Sequence, residues 1–209
     1  MDLHQIDQIA EKLMGNRKVH QEREIGGALH HGRRVANTAL SLRKIILPAD
    51  SARDDVLRVA AWFHDVGKGL EPHARYGGII VQEALKNVCT ERQLAQIAEL
   101  VTLHANSKLP GDAYPDLLKI LQDADLLDHY GTYAIWMEFL YSAYTGKTIQ
   151  QTYTYDPKTW TARCEKHRAS LHYDISKRIF DERLAFVDSF YDRFRIEGQG
   201  GIIDLETLL

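Results

Sequence analysis

Apolar residues recur along this chain at intervals of three and four, and over no useful length do they alternate at intervals of two. Such spacing puts one apolar stripe on each of a series of helices and leaves no segment suited to a half-buried strand, so the expected fold class is all-α. Leu3, Ile6, Ile9, Ala10, Leu13 and Met14 predict a first helix from Leu3 to about Val19, and Gly26-Gly27 breaks the pattern. A second helix is expected from His30 or His31 to Leu47, with Val35, Ala39, Leu42, Ile45 and Ile46 inward and Pro48 ending it. A third starts near Ser51 or Ala52, turns Val56, Leu57, Val59, Ala60 and Phe63 inward, and stops at His64-Asp65. The fourth runs from about His73 to Val88 on a stripe of Ile79, Ile80, Ala84 and Leu85, and Thr90 caps a fifth that reaches His104.

Pro110-Gly111 marks a loop, Pro115 opens a sixth helix through Asp125 to His129, and Gly131 separates a seventh that ends near Gly146. Between Gly146 and Pro157 threonines and tyrosines lack a helical period, which predicts an irregular loop or short hairpin able to serve as a lid. One last long helix is expected from about Thr161 to Arg195, on a seam of Leu171, Ile175, Ile179, Leu184, Val187, Phe190 and Phe194. No repeat and no Gly/Ser- or Pro-rich linker divides the chain, so residues 1–209 read as a single domain of seven or eight helices.

At 209 residues and 44% hydrophobic content the chain can bury a real core. A formal charge of -3, with both signs mixed, gives neither a basic field for long nucleic acid nor a polybasic membrane patch. Cys89 and Cys164 lie far apart and form no paired zinc or redox spacing. The N-terminus carries no basic start followed by an apolar run, and no window approaches a membrane span, so the expected location is the cytoplasm.

The ten histidines are scattered, which makes their spacing informative. In Ala60-Ala61-Trp62-Phe63-His64-Asp65-Val66-Gly67-Lys68-Gly69 an imidazole, a carboxylate and an ammonium stand against a turn of small residues, an arrangement suited to a metal site opening onto a phosphate site. The other candidates also fall at expected helix ends: His31 at the start of the second helix, His73 at the start of the fourth, His104 at the end of the fifth, and Asp125 within the sixth. Helix ends of a bundle can converge on one cleft. Each residue also has a plainer reading: His31 as a polar first-turn residue, His73 as a helix starter after Pro72, His104 as an inward histidine satisfied by a carbonyl. Asp123 and Asp125, two apart, cannot share a helical face, so one is expected to meet water. A free carboxylate beside Ala124, Leu126 and Leu127 would be costly, and a metal-bound one would not.

The ordered set His31-x-x-Arg34-Val35, His64-Asp65-Val66-Gly67-Lys68 and Asp123-Ala124-Asp125-x-Leu127-Asp128 resembles the HD-domain superfamily of metal-dependent phosphohydrolases, over roughly His31 to Asp128. The resemblance implies an HD-type helical bundle with a metal-site core at about residues 26–130 and a C-terminal helical extension at about 157–197. It also implies that His31, His64, Asp65 and Asp125 bind one divalent metal. His73, in His-Ala-Arg-Tyr-Gly, and His104 match the extra histidines of members that hold a second ion, with Asp65 then bridging. The tail from Ile175-Ser176-Lys177-Arg178 to Glu197-Gly198 is similar to the C-terminal helix of a bacterial HD subgroup that contains nucleotide pyrophosphohydrolase-like proteins.

Substrate identity does not follow from the resemblance, because the chain departs from several branches of the superfamily. Alarmone hydrolases of the superfamily follow His-Asp with an acidic pair, where this chain has Val66, Gly67 and Lys68. Cyclic-di-GMP phosphodiesterases carry Gly-Tyr-Pro after their later histidine, where His104 is followed by Ala-Asn-Ser-Lys. Diadenosine tetraphosphate hydrolases place the helix after the dyad further on. The expectation is hydrolysis of a phosphoester or phosphoanhydride in a small, nucleotide-like substrate by metal-activated water. In it Asp65 is the ligand and bridge, Lys68 and Arg34 balance phosphate charge, and Lys108 is a weaker phosphate candidate. Lys68 could equally be a solvated residue after a turn, and Arg34 an ion-pair partner of a ligand carboxylate. Mixed oxygen and nitrogen donors suit manganese, iron, magnesium, cobalt or nickel without choosing among them. A di-iron oxygenase on the same scaffold and a non-catalytic signalling module are the alternatives.

Overall fold

The computed structural model describes residues 1–106, 114–152 and 157–203. These residues form α1 (Leu3–Met14), α2 (Gly27–Ile46), a 3-10 turn (Ser51–Arg53) leading into α3 (Asp54–Phe63), α4 (His73–Leu85), α5 (Glu91–Leu103), α6 (Asp116–Asp128), α7 (Thr132–Thr145), α8 (Ile149–Thr152), α9 (Pro157–Ser170) and α10 (Asp174–Gly198). The architecture is all-α, with no strand among the described residues. Among the described residues ten helices appear where seven or eight are expected, because α8 forms in the segment after Gly146 and the last long helix is broken in two.

Helix α2 packs on α3 and α6, α3 on α5, and α4 on α5. A Cβ on Gly32 would lie 2.6 Å from the Trp62 carbonyl oxygen, so only glycine lets the first half of α2 lie against the end of α3. That contact sets His31 beside His64. Leu29, Leu42, Leu57, Phe63, Ile97 and Leu118 are fully buried between these helices, each worth roughly 1.5–3 kcal/mol of apolar burial. Helix α10 closes the other side, with Phe180 against Tyr130 at 4.3 Å between ring centroids. A second cluster forms where α7 meets α10, around Ile135, Val187 and Tyr191, and Trp160 of α9 packs against both clusters.

Several local expectations change. Helix α1 stops at Met14 rather than near Val19, since Arg17 leaves the helix to donate to the carbonyls of Val66 (2.7 Å) and Lys68 (2.5 Å). Helix α2 begins at Gly27, after Gly26 turns the chain at φ 74, so His31 sits in its second turn and not its first. Ile45 and Ile79, expected inward, are 59% and 53% exposed, and α4 ends at Leu85 rather than Val88. Thr90 does cap α5, in a reciprocal capping box with Gln93.

The expected continuous helix 161–195 breaks at Leu171–Tyr173. Asp123 of α6 causes the break: its buried carboxylate accepts from the backbone N–H groups of His172 (2.8 Å) and Tyr173 (3.2 Å). Neither Asp123 nor Asp125 therefore turns to water as the two-residue spacing predicted. Asp123 faces the α9–α10 junction, and burial raises its carboxyl above the usual range against the hydrogen bonds it accepts. Part of the irregular loop or short hairpin expected after Gly146 is instead helix α8, Ile149–Thr152. Residues 153–156, and with them the closure of a lid, lie outside the described residues, as do Lys108 and the Pro110-Gly111 loop. No helix among the described residues is long and apolar enough to cross a membrane.

Candidate metal centre

Helix termini deliver the donors. His31 projects from the second turn of α2, His64 and Asp65 follow the last residue of α3, His73 opens α4, His104 follows α5, and Asp125 lies in the last turn of α6. All six residues expected to meet do meet. His31 Nε2 is 2.9 Å from Asp125 Oδ1 and 3.2 Å from His64 Nε2. His64 Nε2 is 3.7 Å from Asp65 Oδ2 and 3.6 Å from Asp125 Oδ1, and His31 Nε2 is 4.0 Å from Asp65 Oδ2. The other oxygen of Asp65, Oδ1, lies 3.6 Å from both His73 Nε2 and His104 Nε2. Donor atoms at about 2.1 Å from one cation stand roughly 3.0–3.4 Å apart along the edges of an octahedron or tetrahedron, so these separations suit a shared ion.

The protonation pattern strengthens the fit. His31 Nδ1 donates to Asp128 Oδ2 at 2.7 Å, His64 Nδ1 to the Ala61 carbonyl at 2.8 Å, and His104 Nδ1 to the Val101 carbonyl at 2.7 Å. With Nδ1 donating, each neutral ring turns the lone pair of Nε2 toward the cluster. Two bare Nε2 atoms 3.2 Å apart, and a bare Nε2 2.9 Å from a carboxylate oxygen, repel unless positive charge lies between them. The donor set therefore fits a cation: His31, His64, Asp65 and Asp125 would hold one, and Asp65, His73 and His104 a second. These groups are also ones whose ligand atoms gather within 4.8 Å of each other, as His31–His64–Asp65 and Asp65–His73–His104.

Without a cation a proton takes that place: burial opposes charge on His64, yet Asp65 and Asp125 outweigh it and raise the imidazole to about 9, so a metal ion would displace this proton. Asp125, despite burial, is held well below the usual carboxylate range by His64, His129 and His31. Asp65 is likewise held low against burial by His64 and His104. His73 is lowered by burial and by neighbouring Lys68 and His104, which favours the neutral ring a ligand needs.

The two basic candidates diverge. Lys68 Nζ stands 3.6 Å from Asp65 Oδ1 with about a third of its side chain open, at 31%. Arg34 instead gives Nε (2.9 Å) and Nη2 (2.8 Å) to Asp128 and stacks 3.7 Å above the ring centroid of Tyr133. Of its two sequence readings, phosphate contact and ion-pair partner of a carboxylate, this geometry favours the second, with the carboxylate that orients His31 as the partner.

Three residues were not picked out as site residues by sequence reasoning. Asp128 enters the sequence reading only as the last residue of the Asp123-Ala124-Asp125-x-Leu127-Asp128 motif. His129 Nε2 lies 3.6 Å from Asp125 Oδ1, and its half-exposed ring is 5.2 Å from that of His31. The spacing of three and four from Asp125 was the available signal for both. Arg17, which clamps the 66–68 turn across 49 residues, left no local signal.

An all-helical bundle whose helix ends bring histidines and aspartates into one cluster able to hold a cation defines a class of helical domain with a candidate metal centre. Residues 28–130 match the HD domain family, and the chain belongs to the HD-domain superfamily. No curated protein sequence matches it. Among solved structures it is similar to a predicted HD superfamily hydrolase from an uncultured Thermotogales bacterium, at 21% identity over 93% of this chain and 92% of that one, with a TM-score of 0.63. An HD-superfamily hydrolase from Bacillus thuringiensis is 20% identical over 94% and 98% of the two chains, with a TM-score of 0.65. Bacillus subtilis YpgQ, solved in complex with ADP, is 18% identical over 90% and 94%, with a TM-score of 0.60. These likenesses establish the fold.

Proposed function

We propose that the chain is a metal-dependent phosphohydrolase that cleaves a phosphoester or phosphoanhydride bond in a small nucleotide substrate. The observation that carries the reading is the division of Asp65, one oxygen facing His31 and His64 and the other facing His73 and His104. Membership of the HD superfamily and the ADP held by the B. subtilis neighbour support the choice of reaction and substrate. In this reading residues 1–209 form one domain, with donors from the core at 26–130, and work on a soluble substrate in the cytoplasm.

A bound divalent cation, one or two per chain, would supply a water of lowered pKa and a seat for a phosphoryl oxygen. The chain's own groups do the rest. Asp128 and the Ala61 and Val101 carbonyls hold three imidazoles in the tautomer that offers Nε2. Lys68 offsets charge on the phosphate as it approaches Asp65. Arg34 keeps Asp128 ionised and in place.

The test is removal of metal, reconstitution with manganese, iron, magnesium, cobalt or nickel, and a screen of nucleotides and phosphoesters for phosphate or pyrophosphate release, with Asp65→Ala as control. Metal-dependent release that Asp65→Ala abolishes is the expected result. Turnover surviving that substitution rejects the site. Oxygen uptake without phosphate release points to the di-iron oxygenase, and stoichiometric metal without any turnover to a non-catalytic module.

A further inference from the structure

Beside the donor cluster lies a cavity of about 530 Å³, within the roughly 300–1,000 Å³ of small-molecule sites. His129 joins the two, lining the cavity while its Nε2 stands 3.6 Å from Asp125 Oδ1. Apart from His129 and Tyr130 the cavity walls lie outside the 28–130 segment that matches the HD family, mostly on α7, α9 and α10. What the cavity admits is therefore set by this chain's own C-terminal helices.

The walls have a definite chemistry. Tyr133, Tyr141, Trp160 and Tyr191 present aromatic surface. The Arg163 guanidinium lies 4.7 Å from the Trp160 ring centroid, and Lys147 is 5.0 Å from the Tyr141 ring while pairing with Glu138 at 3.0 Å. Glu22 and Glu138 line the same space. Glu22 and Glu138 offset the charges of Arg23, Lys147 and Arg163 in the same wall, so the cavity offers no concentrated positive field for a polyphosphate, whose charge is met at the donor cluster instead. Aromatic surfaces and a guanidinium suit instead a flat, electron-rich ring carrying hydrogen-bonding edges.

We infer that this cavity is a subsite for the aromatic heterocycle of a nucleoside, whose phosphate-bearing end reaches the donor cluster past His129. Tyr141 and Arg163, both exposed at the rim, are its selectivity residues. The phosphate end of this assignment rests on the phosphohydrolase reading; the heterocycle end does not.

The experiment titrates adenosine, guanosine, cytidine and uridine into the full-length, manganese-loaded protein by calorimetry, with ribose and inorganic phosphate as separate probes. At least one nucleoside is expected to bind and ribose not to. Tyr141→Ala and Arg163→Ala, which keep manganese uptake as a check on folding, each weaken nucleoside binding about 10-fold, as loss of a stacking or cation–π face does. Asp65→Asn removes phosphate binding and leaves nucleoside affinity in place. Absence of nucleoside binding, or binding indifferent to both rim variants, overturns the subsite. Should phosphoesters still be hydrolysed in that case, the phosphohydrolase reading stands alone; should nucleosides bind while no phosphoester is cleaved, the subsite stands and the phosphohydrolase reading falls.

Discussion

Replacing Asp128 with asparagine isolates the group that stands behind the proposed metal ligands. Asp128 accepts from His31 Nδ1 at 2.7 Å and from Arg34 Nε and Nη2 at 2.9 and 2.8 Å, with only 8% of its side chain open. The amide oxygen of Asp128→Asn can still meet His31, but without the charge that fixes the tautomer and raises the basicity of Nε2. Loss of such an outer carboxylate lowers metal affinity by about 10–100-fold, which corresponds to about 1.4–2.7 kcal/mol. The same change leaves the Arg34 guanidinium without its partner. Because 34% of that side chain is open, water can replace part of the loss, and the folding cost is set at about 1–2 kcal/mol rather than the 3–5 of a fully buried pair. Manganese titration calorimetry reads the first effect, and thermal unfolding of the metal-free protein reads the second. Arg34→Gln serves as comparison: it keeps the His31–Asp128 bond and is expected to lose less affinity than Asp128→Asn. Native manganese affinity in folded Asp128→Asn would refute the argument that this carboxylate prepares His31 as a ligand.

Three further outcomes are expected. Gly67→Ala would put a Cβ 2.1 Å from the His73 carbonyl oxygen, so it should lower stability by about 3 kcal/mol or prevent folding; an unchanged melting temperature contradicts the close approach of the 64–69 turn to α4. Asp123→Ala strips the acceptor from His172 and Tyr173 N–H and should cost about 2–4 kcal/mol in denaturant unfolding, with an unmoved midpoint refuting its role at the helix break. His167, whose imidazole is lowered by burial and by the Arg163 guanidinium, should titrate below about 6.5 by NMR. Because the unfolded chain then takes the proton first, this group's contribution to stability is present above that pH and is lost as pH falls through the depressed value; titration at or above the ordinary value counts against it.

Much of the fold was legible because helical periodicity is local. Val56, Leu57, Val59, Ala60 and Phe63 are all buried as their spacing requires, and α3 stops at His64. The candidate ligands were legible because imidazoles and carboxylates stood at predicted helix ends, and helix ends are what a bundle brings together. What the sequence hid is long-range. The apolar seam runs through Leu171 to Ile175 without a breaker, and the break comes from Asp123, some fifty residues away, offering a buried carboxylate to two backbone N–H groups. Arg34 keeps two readings in the sequence, phosphate contact and ion-pair partner, since nothing local says that Asp128 meets its fork. Ile45 and Ile79 obey the period of their helices yet face outward, because periodicity orients a stripe without saying how wide the neighbouring helix covers it.

The central claim is that Asp65 stands between two cation seats. Crystals grown with manganese and measured for anomalous scattering address it without any assumption about substrate. Two peaks roughly 3.5–4 Å apart, as in two-metal hydrolytic sites, are predicted on either side of the Asp65 carboxylate, one toward His31, His64 and Asp125 and the other toward His73 and His104. An ordered Asp65 with no anomalous density beside it, or manganese bound only elsewhere, would contradict the account at its root.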